Sequence, residues 1–363
     1  MDSSADEVLE LAVVAGGHAQ KDRTAMMAGF HDHTPVIFKR IQKYDEKKDA
    51  GRSVSRGNVE RNFYESQGFA AHQDGCMDGM NHVASILSFL PRFYGVKEIS
   101  RAPYLVLENA LHGIRSPAVL DVKIGHQMYP DCEHPEVDLA SSAKMLGEAV
   151  GVGVRSDSNG NEKTDGALLL PAFMELDSNS VVYKTLKQVG RALPGFRIIG
   201  AAGPNVQISK KEGFGMALIG ALSGVRNGEP RGVHADAPAV RAIASFLGVG
   251  TPNAPCAAAL ETLVQRLELL HDLLKTNPPP WHAYSSSLLL YYESDDGSIS
   301  QTSTTNAQTS SARRNTIGVK WIDFAHVIAT TASENDGRFP PDENFLHGLR
   351  ELIKAITLAI NGG

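Results

Sequence analysis

The chain has 363 residues, 21% of them charged and 42% hydrophobic, with a formal net charge of −6. That length and composition describe a folded protein with a large core, arranged as one large domain or two smaller ones, and exclude a disordered or fibrous chain. The acidic balance argues against a general nucleic-acid binder, so an anionic ligand requires positive charge gathered locally.

The three cysteines, Cys76, Cys132 and Cys256, lie far apart with no CxxC spacing, which suggests neither a zinc site nor a disulfide framework. A reducing compartment is expected. The start, "MDSSADEVLE", is unlike a signal peptide, and no apolar run reaches bilayer length, so the expectation is a cytoplasmic or nuclear protein without membrane insertion. The sequence points to no protein partner.

In chain order, "LAVVAGGH" and "TAMMAG" are short strand candidates, "HDHTP" a turn, and "PVIFKRI" a further strand. Alternation in the last puts Val36, Phe38 and Arg40 on one face and Ile37, Lys39 and Ile41 on the other. Lys39 thus keeps apolar company, which is unusual for a lysine without a role. "NVERNFYESQGFAAH" and "GMNHVASILSFL" read as helices, and "PYLVLENAL" as a strand leading into a connector. In "SPAVLDVKIGHQMY", Val119, Asp121, Lys123 and Gly125 share one strand face, with Leu120, Val122 and Ile124 on the other. Taken alone, the Asp121 and Lys123 pair is a solvent-facing ion pair on a half-buried strand.

Two Ser-, Thr-, Asn- and Gly-rich stretches without periodicity, near residues 131–178 and 294–316, read as surface insertions. "PCAAALETLVQRLELLHDLLKT" and "DENFLHGLRELIKAITLAI" are amphipathic helices; in the first, Leu260, Leu263, Val264, Leu267, Leu270 and Leu274 form a core stripe. "SSSLLLYYES" and "NTIGVKWIDFAHV" read as one hairpin whose tip is the second insertion. Asp323 lies between Ile322 and Phe324 in that apolar setting, where a carboxylate needs a metal, a cation or several donors.

A lysine on an early strand, a glutamate on the next helix, a connector and a late acidic residue are the parts of a phosphoryl-transfer site, and Lys39, Glu60, Glu108 and Asp323 occur in that order. "PAVLDVKIG" fits the PxxxDxKxG signature of the inositol polyphosphate kinases, and "SSLL" and "IDFAHV" fit two further motifs of that family. The resemblance extends through "VAGGH", "VIFK", "NFYE", "LPRFYG", "YLVLENAL", "GFRIIG" and "HGLRELI", which is nearly the whole chain outside the two insertions. Within the family it is most similar to the multikinases, with much shared by the hexakisphosphate kinases.

The resemblance implies an α+β, two-lobed, protein-kinase-like fold: antiparallel sheets with flanking helices, and an ATP cleft between lobes. The lobes would be residues 1–110 and 111–363, with the connector near 107–113. It implies an ATP- and Mg²⁺-dependent kinase of soluble inositol polyphosphates. Lys39 would contact the ATP phosphates, Glu60 would position it, and Glu108 and Asn109 would lie in the connector that meets the nucleotide. Asp121 would sit near the ribose and the catalytic centre, and Lys123 would bridge the transferring phosphate and the inositide. Asp323 would hold Mg²⁺ with Ser286 or Ser287 nearby, and His326 would face the substrate.

"VVYKTLKQVGRALPGF" places Lys184, Lys187, Gln188 and Arg191 at i, i+3, i+4 and i+7, one helical stripe that resembles the family's inositide-binding helix. Two departures from the family pattern stand out. Asn109 replaces an acidic residue, although its amide carbonyl can still accept from a hydroxyl. Ala201 and Ala202 occupy the region where a basic residue is usual, which bears on substrate range. "HDH" (residues 31–33) has a metal-ligand look but reads better as a solvated turn, and "GVGVRS" lacks the third glycine of a dinucleotide site. The rival expectations are a hexakisphosphate kinase and a catalytically weak scaffold of the same fold.

Overall fold

The computed structural model describes residues 8–9, 25–45, 53–71, 86–125, 155–156, 162–163, 195–203, 206–209, 211–213, 215–216, 238–251, 254–294, 316–334 and 337–362. The elements are β1 (Val8–Leu9), β2 (Met26–His31), β3 (Thr34–Arg40), α1 (Arg56–Ala71), β4 (Phe93–Ile99), β5 (Ala102–Glu108), β6 (Pro117–Ile124), β7 (Arg155–Ser156), β8 (Glu162–Lys163), β9 (Phe196–Gly203) and β10 (Val206–Ile208). They continue with α2 (Pro238–Phe246), α3 (Ala257–Thr276), β11 (Trp281–Ala283), β12 (Ser287–Glu293), β13 (Ile317–Ile322), β14 (Val327–Ala329) and α4 (Glu343–Asn361).

Two antiparallel five-stranded sheets dominate, in the orders β1-β2-β3-β5-β4 and β10-β9-β6-β12-β13. The hairpins of the first sheet close on two-residue turns at Asp32–His33 and Ser100–Arg101, all four residues having positive φ. That geometry matches the twist of the flanking strands and accounts for "HDH" as a turn. Val36 and Phe38 are fully buried on one face of this sheet against Tyr104 and Val106. The opposite face sends Leu105 and Leu107 into the main core, and Lys39 lies beside Leu105 on that face, as alternation in β3 requires.

The second sheet has a core face and a polar face. Leu120, Val122, Leu288, Leu290, Val319 and Trp321 are at most 1% exposed and join the core that includes α2, α3 and α4. Leu260, Leu263, Leu267, Leu270 and Leu274 of α3 are buried in it as the periodicity predicts, while Val264 is only partly buried and Leu273 joins instead. On the polar face, the register sets Ser287 between Lys123 and Ile322, and Leu289 between Asp121 and Lys320.

Several sequence expectations fall outside the described residues: "LAVVAGGH", most of "GMNHVASILSFL", and the basic stripe of Lys184, Lys187, Gln188 and Arg191. Within the first insertion, β7 and β8 form a two-stranded ladder where no periodicity was read. The β12–β13 pairing is the expected hairpin, and its backbone closes at Glu293 N–H to Thr316 O, 2.8 Å. No helix among the described residues is long and apolar enough to cross a membrane.

Candidate active site

α1 starts because Ser55, buried at its N-terminus, accepts the Asn58 N–H at 3.3 Å, as an N-cap does. Its inward side carries Glu60, Phe63 and Tyr64, one helical turn together and all buried. Phe63 stacks on Phe324 with ring centroids 4.1 Å apart, and Tyr64 meets the same ring edge-on. Phe324 is fully buried and also packs against Trp281 and Trp321. This aromatic anchor fixes the residue before it, Asp323, whose φ of 67° lies in the left-handed region. A non-glycine residue held there is typical of functional sites.

The Lys39 ammonium lies 2.8 Å from Glu60 Oε1 and 2.6 Å from Asp323 Oδ1. Glu60 Oε1 also accepts the Phe324 N–H at 3.3 Å, so one buried carboxylate holds both the lysine and the backbone next to Asp323. Burial works against the Lys39 charge, but Asp323 and Glu60, with a smaller effect of Tyr64, outweigh it and keep its pKa above the ordinary 10.5. Burial first and the Glu60 charge second push the Tyr64 phenol well above its ordinary value.

From the second sheet, Lys123 approaches the other carboxylate oxygen, Asp323 Oδ2, at 3.5 Å and donates to Ser285 O at 2.6 Å. Ser285 also has positive φ, 53°, and turns its carbonyl to the ammonium. Asp323 is thus gripped by one lysine from each sheet. Asp121 lies two residues before Lys123 on the same face and is buried, next to a bulge where β9 carries an extra residue. Gly125, ending the signature, has φ 83°, and a Cβ there would collide with the Asn344 side chain of α4.

The remaining expected residues divide. Glu108 ends β5, where its carboxylate meets Lys320 Nζ at 2.9 Å and accepts the Arg92 N–H at 3.1 Å. Asn109 opens the connector, its side-chain oxygen accepting the Leu111 N–H at 3.1 Å. Ser287 is fully buried on the polar face, and its hydroxyl has no hydrogen-bond partner among the described residues. Ser286 is fully buried and turned to the core, where it donates to Ala283 O and accepts from Trp321 Nε1, both at 2.9 Å. His326 sits in the turn between β13 and β14, where its carbonyl accepts the Tyr284 N–H. Sequence reading missed Lys320, which alternation in "GVKWIDF" would have placed on the polar face with Ile322. It also missed the β11–β14 pair that braces the segment after Asp323.

Comparison with known proteins bears on this geometry. The sequence model described as "Inositol polyphosphate kinase" matches residues 104–205 and 225–357, well over half of the chain, and takes in Asp121, Lys123 and Asp323. Inositol polyphosphate multikinase beta of Arabidopsis thaliana is 27% identical over 83% of this chain and 81% of its own length. The human inositol polyphosphate multikinase is 33% identical over 26% of this chain and 23% of its own. Inositol hexakisphosphate kinase 3 of Mus musculus is 24% identical over 83% of this chain and 59% of its own. Among solved structures, the inositol phosphate multikinase Ipk2 of S. cerevisiae, in complex with ADP and Mn²⁺, shares 20% identity at a TM-score of 0.40, covering 75% of this chain and 89% of that one. With the family's sequence model spanning the strands that carry the signature and the late aspartate, the chain belongs to the inositol polyphosphate kinase family and is an inositol phosphate kinase.

Proposed function

We propose that the chain transfers the γ-phosphoryl group of ATP directly to hydroxyls of soluble inositol tris- and tetrakisphosphates, building towards the pentakisphosphate. The carrying observation is Asp323 held between Lys39 of the first sheet and Lys123 of the second. Such an arrangement gathers cations from both sides of a cleft around one carboxylate, where a triphosphate and its metal need them. Residues 1–110 and 111–363 would then be the two lobes, joined by the connector after Glu108.

The donor set fits Mg²⁺ brought in with the nucleotide. Among the described residues no three acidic, histidine or cysteine side chains cluster as a metal cage. Mg²⁺ in kinase sites takes one or two carboxylates and completes its shell with phosphate and water. Asp323 supplies the carboxylate, and the Ser287 hydroxyl, without a partner among the described residues, lies one strand over, beside Ile322. When bound, the ion would neutralise charge on the triphosphate. Lys39 holds phosphate oxygens, kept cationic by Asp323 and Glu60. Lys123 neutralises charge that grows on the moving phosphoryl group and orients the acceptor. Asp121, buried on the same face, meets the ribose or the acceptor proton in this reading. The ring phosphates are met by the stripe of Lys184, Lys187, Gln188 and Arg191 and by His326.

The test is an ATP-consumption assay with Mg²⁺ on inositol tris-, tetrakis- and hexakisphosphate, with products resolved by ion exchange. Products that stop at pentakisphosphate are expected. Phosphorylation of hexakisphosphate would replace this reading with a pyrophosphate-forming enzyme, the alternative raised by the similarity to the mouse hexakisphosphate kinase.

A further inference from the structure

We infer that Lys320 is a positioning residue for the nucleotide, acting through Glu108 to set the connector against the strand that ends at Asp323. The inference rests on the proposed nucleotide site and extends it to a residue outside that site. Lys320 lies on the polar face of β13, in register with Leu289 and, through it, Asp121. Its side chain is only 12% exposed. Its ammonium has three donors, and three oxygens surround it: Glu108 Oε2 at 2.9 Å, Leu90 O at 3.2 Å and Ser88 O at 3.5 Å.

These acceptors come from two separate stretches of the chain. Leu90 precedes β4, and Glu108 is the last residue of β5 before the connector. Glu108 then binds Arg92 twice, its N–H donating to Arg92 O at 2.8 Å and its carboxylate accepting the Arg92 N–H. Trp321, the next residue of β13, donates its N–H to Phe89 O at 2.7 Å. β13 therefore leads directly into Asp323 and carries, three residues before it and roughly 10 Å away along an extended chain, the cation that fixes where the connector begins. The residue that follows the strand registers the phosphates, and the middle of the strand registers the base. Losing the cation loosens the base end and leaves Lys39, Lys123 and Asp323 in place, so ground-state nucleotide affinity falls while the chemical step does not.

The experiment uses the full chain, with Lys320→Met, Glu108→Gln and the double variant, read by steady-state kinetics and by the thermal shift that ATP with Mg²⁺ produces. Lys320→Met is expected to raise the KM for ATP about tenfold, with kcat and the KM for the inositol phosphate within about twofold of wild type. Glu108→Gln is expected to raise the ATP KM similarly, and the double variant no further, because the two act as one unit. Should Lys320→Met fail to fold, Glu108→Gln is read by the same criterion for ATP KM. An unchanged ATP KM, or equal losses in kcat and both KM values, would overturn the positioning role. Absence of any ATP-dependent shift in the wild type would instead remove the nucleotide reading, and this inference with it.

Discussion

Asp323 meets two demands at once, a charge placed between two lysines and a backbone in the left-handed region. Asparagine tolerates that backbone well, whereas alanine does not. Asp323→Asn therefore isolates the charge from the backbone: turnover is expected to fall at least about 100-fold, with some loss of stability from the buried Lys39 charge left less compensated, while Asp323→Ala adds about 1 kcal/mol or more of backbone strain. Equal turnover in Asp323→Asn and wild type would show that the carboxylate is not part of the reaction. Lys39 carries a pH prediction. Its folded pKa is raised above 10.5, so the stabilisation its charge provides is fully present below that value and lost only as pH climbs through the higher folded one. The ATP KM measured from neutrality to about pH 10 should show no limb that moves in Lys39→Arg. A limb that does move would mean the ammonium is not held by Asp323 and Glu60. Single residues were the most legible part of the sequence: Asp121 and Lys123 on one face, and Lys39 among apolar neighbours, follow from period-two alternation alone. Ser286 was not legible, because which of three adjacent serines faces the cleft depends on where β12 begins.

At the scale of elements, close approach explains what propensity does not. α4 is capped by Asp342, whose carboxylate accepts from Phe345 N–H at 2.9 Å and from Ala283 N–H at 3.2 Å. That bond ties the helix to the turn leading to Ser285 and Ser287. The same helix presses Gly348 against Gly195 O and Gly125 N. Gly125→Ala is expected to destabilise by about 1–3 kcal/mol in urea unfolding, from overpacking against Asn344 together with its positive φ. A change under about 0.5 kcal/mol, the range of an ordinary surface substitution, would show that the contact yields easily. The β12–β13 hairpin is closed by its own backbone at Glu293 and Thr316. Replacing residues 295–315 with an Asn-Gly turn should preserve soluble protein and kcat; loss of soluble protein would make the segment part of the fold. α3, α4 and β6 were readable from their periodicity, whereas α2, with Ala239, Val240, Ala242, Ile243 and Phe246 buried at helical spacing, was not read. β4 was missed because its outward residues, Tyr94 and Val96, are apolar and exposed, which blurs the alternation. β11 and β14 were missed because three-residue strands carry too little pattern.

For the whole molecule, an acidic chain that works on polyanions has to concentrate cations, and the cleft does so with Lys39 and Lys123 converging from two sheets that are far apart in sequence. The order of the parts along the chain suggested this, but their meeting depends on how the sheets pack, which periodicity does not encode. The same holds for Lys320 and Glu108, paired across 212 residues. The most direct measurement on the central claim, that the polar face of β6 is the floor on which transfer occurs, is steady-state turnover of inositol trisphosphate by Lys123→Ala, with ATP-induced thermal shift recorded alongside. The account predicts turnover reduced at least about 100-fold with the ATP shift retained, since Lys39, Glu60 and Asp323 still hold one another. Turnover within a few-fold of wild type would contradict it and move the transfer site away from the signature strand.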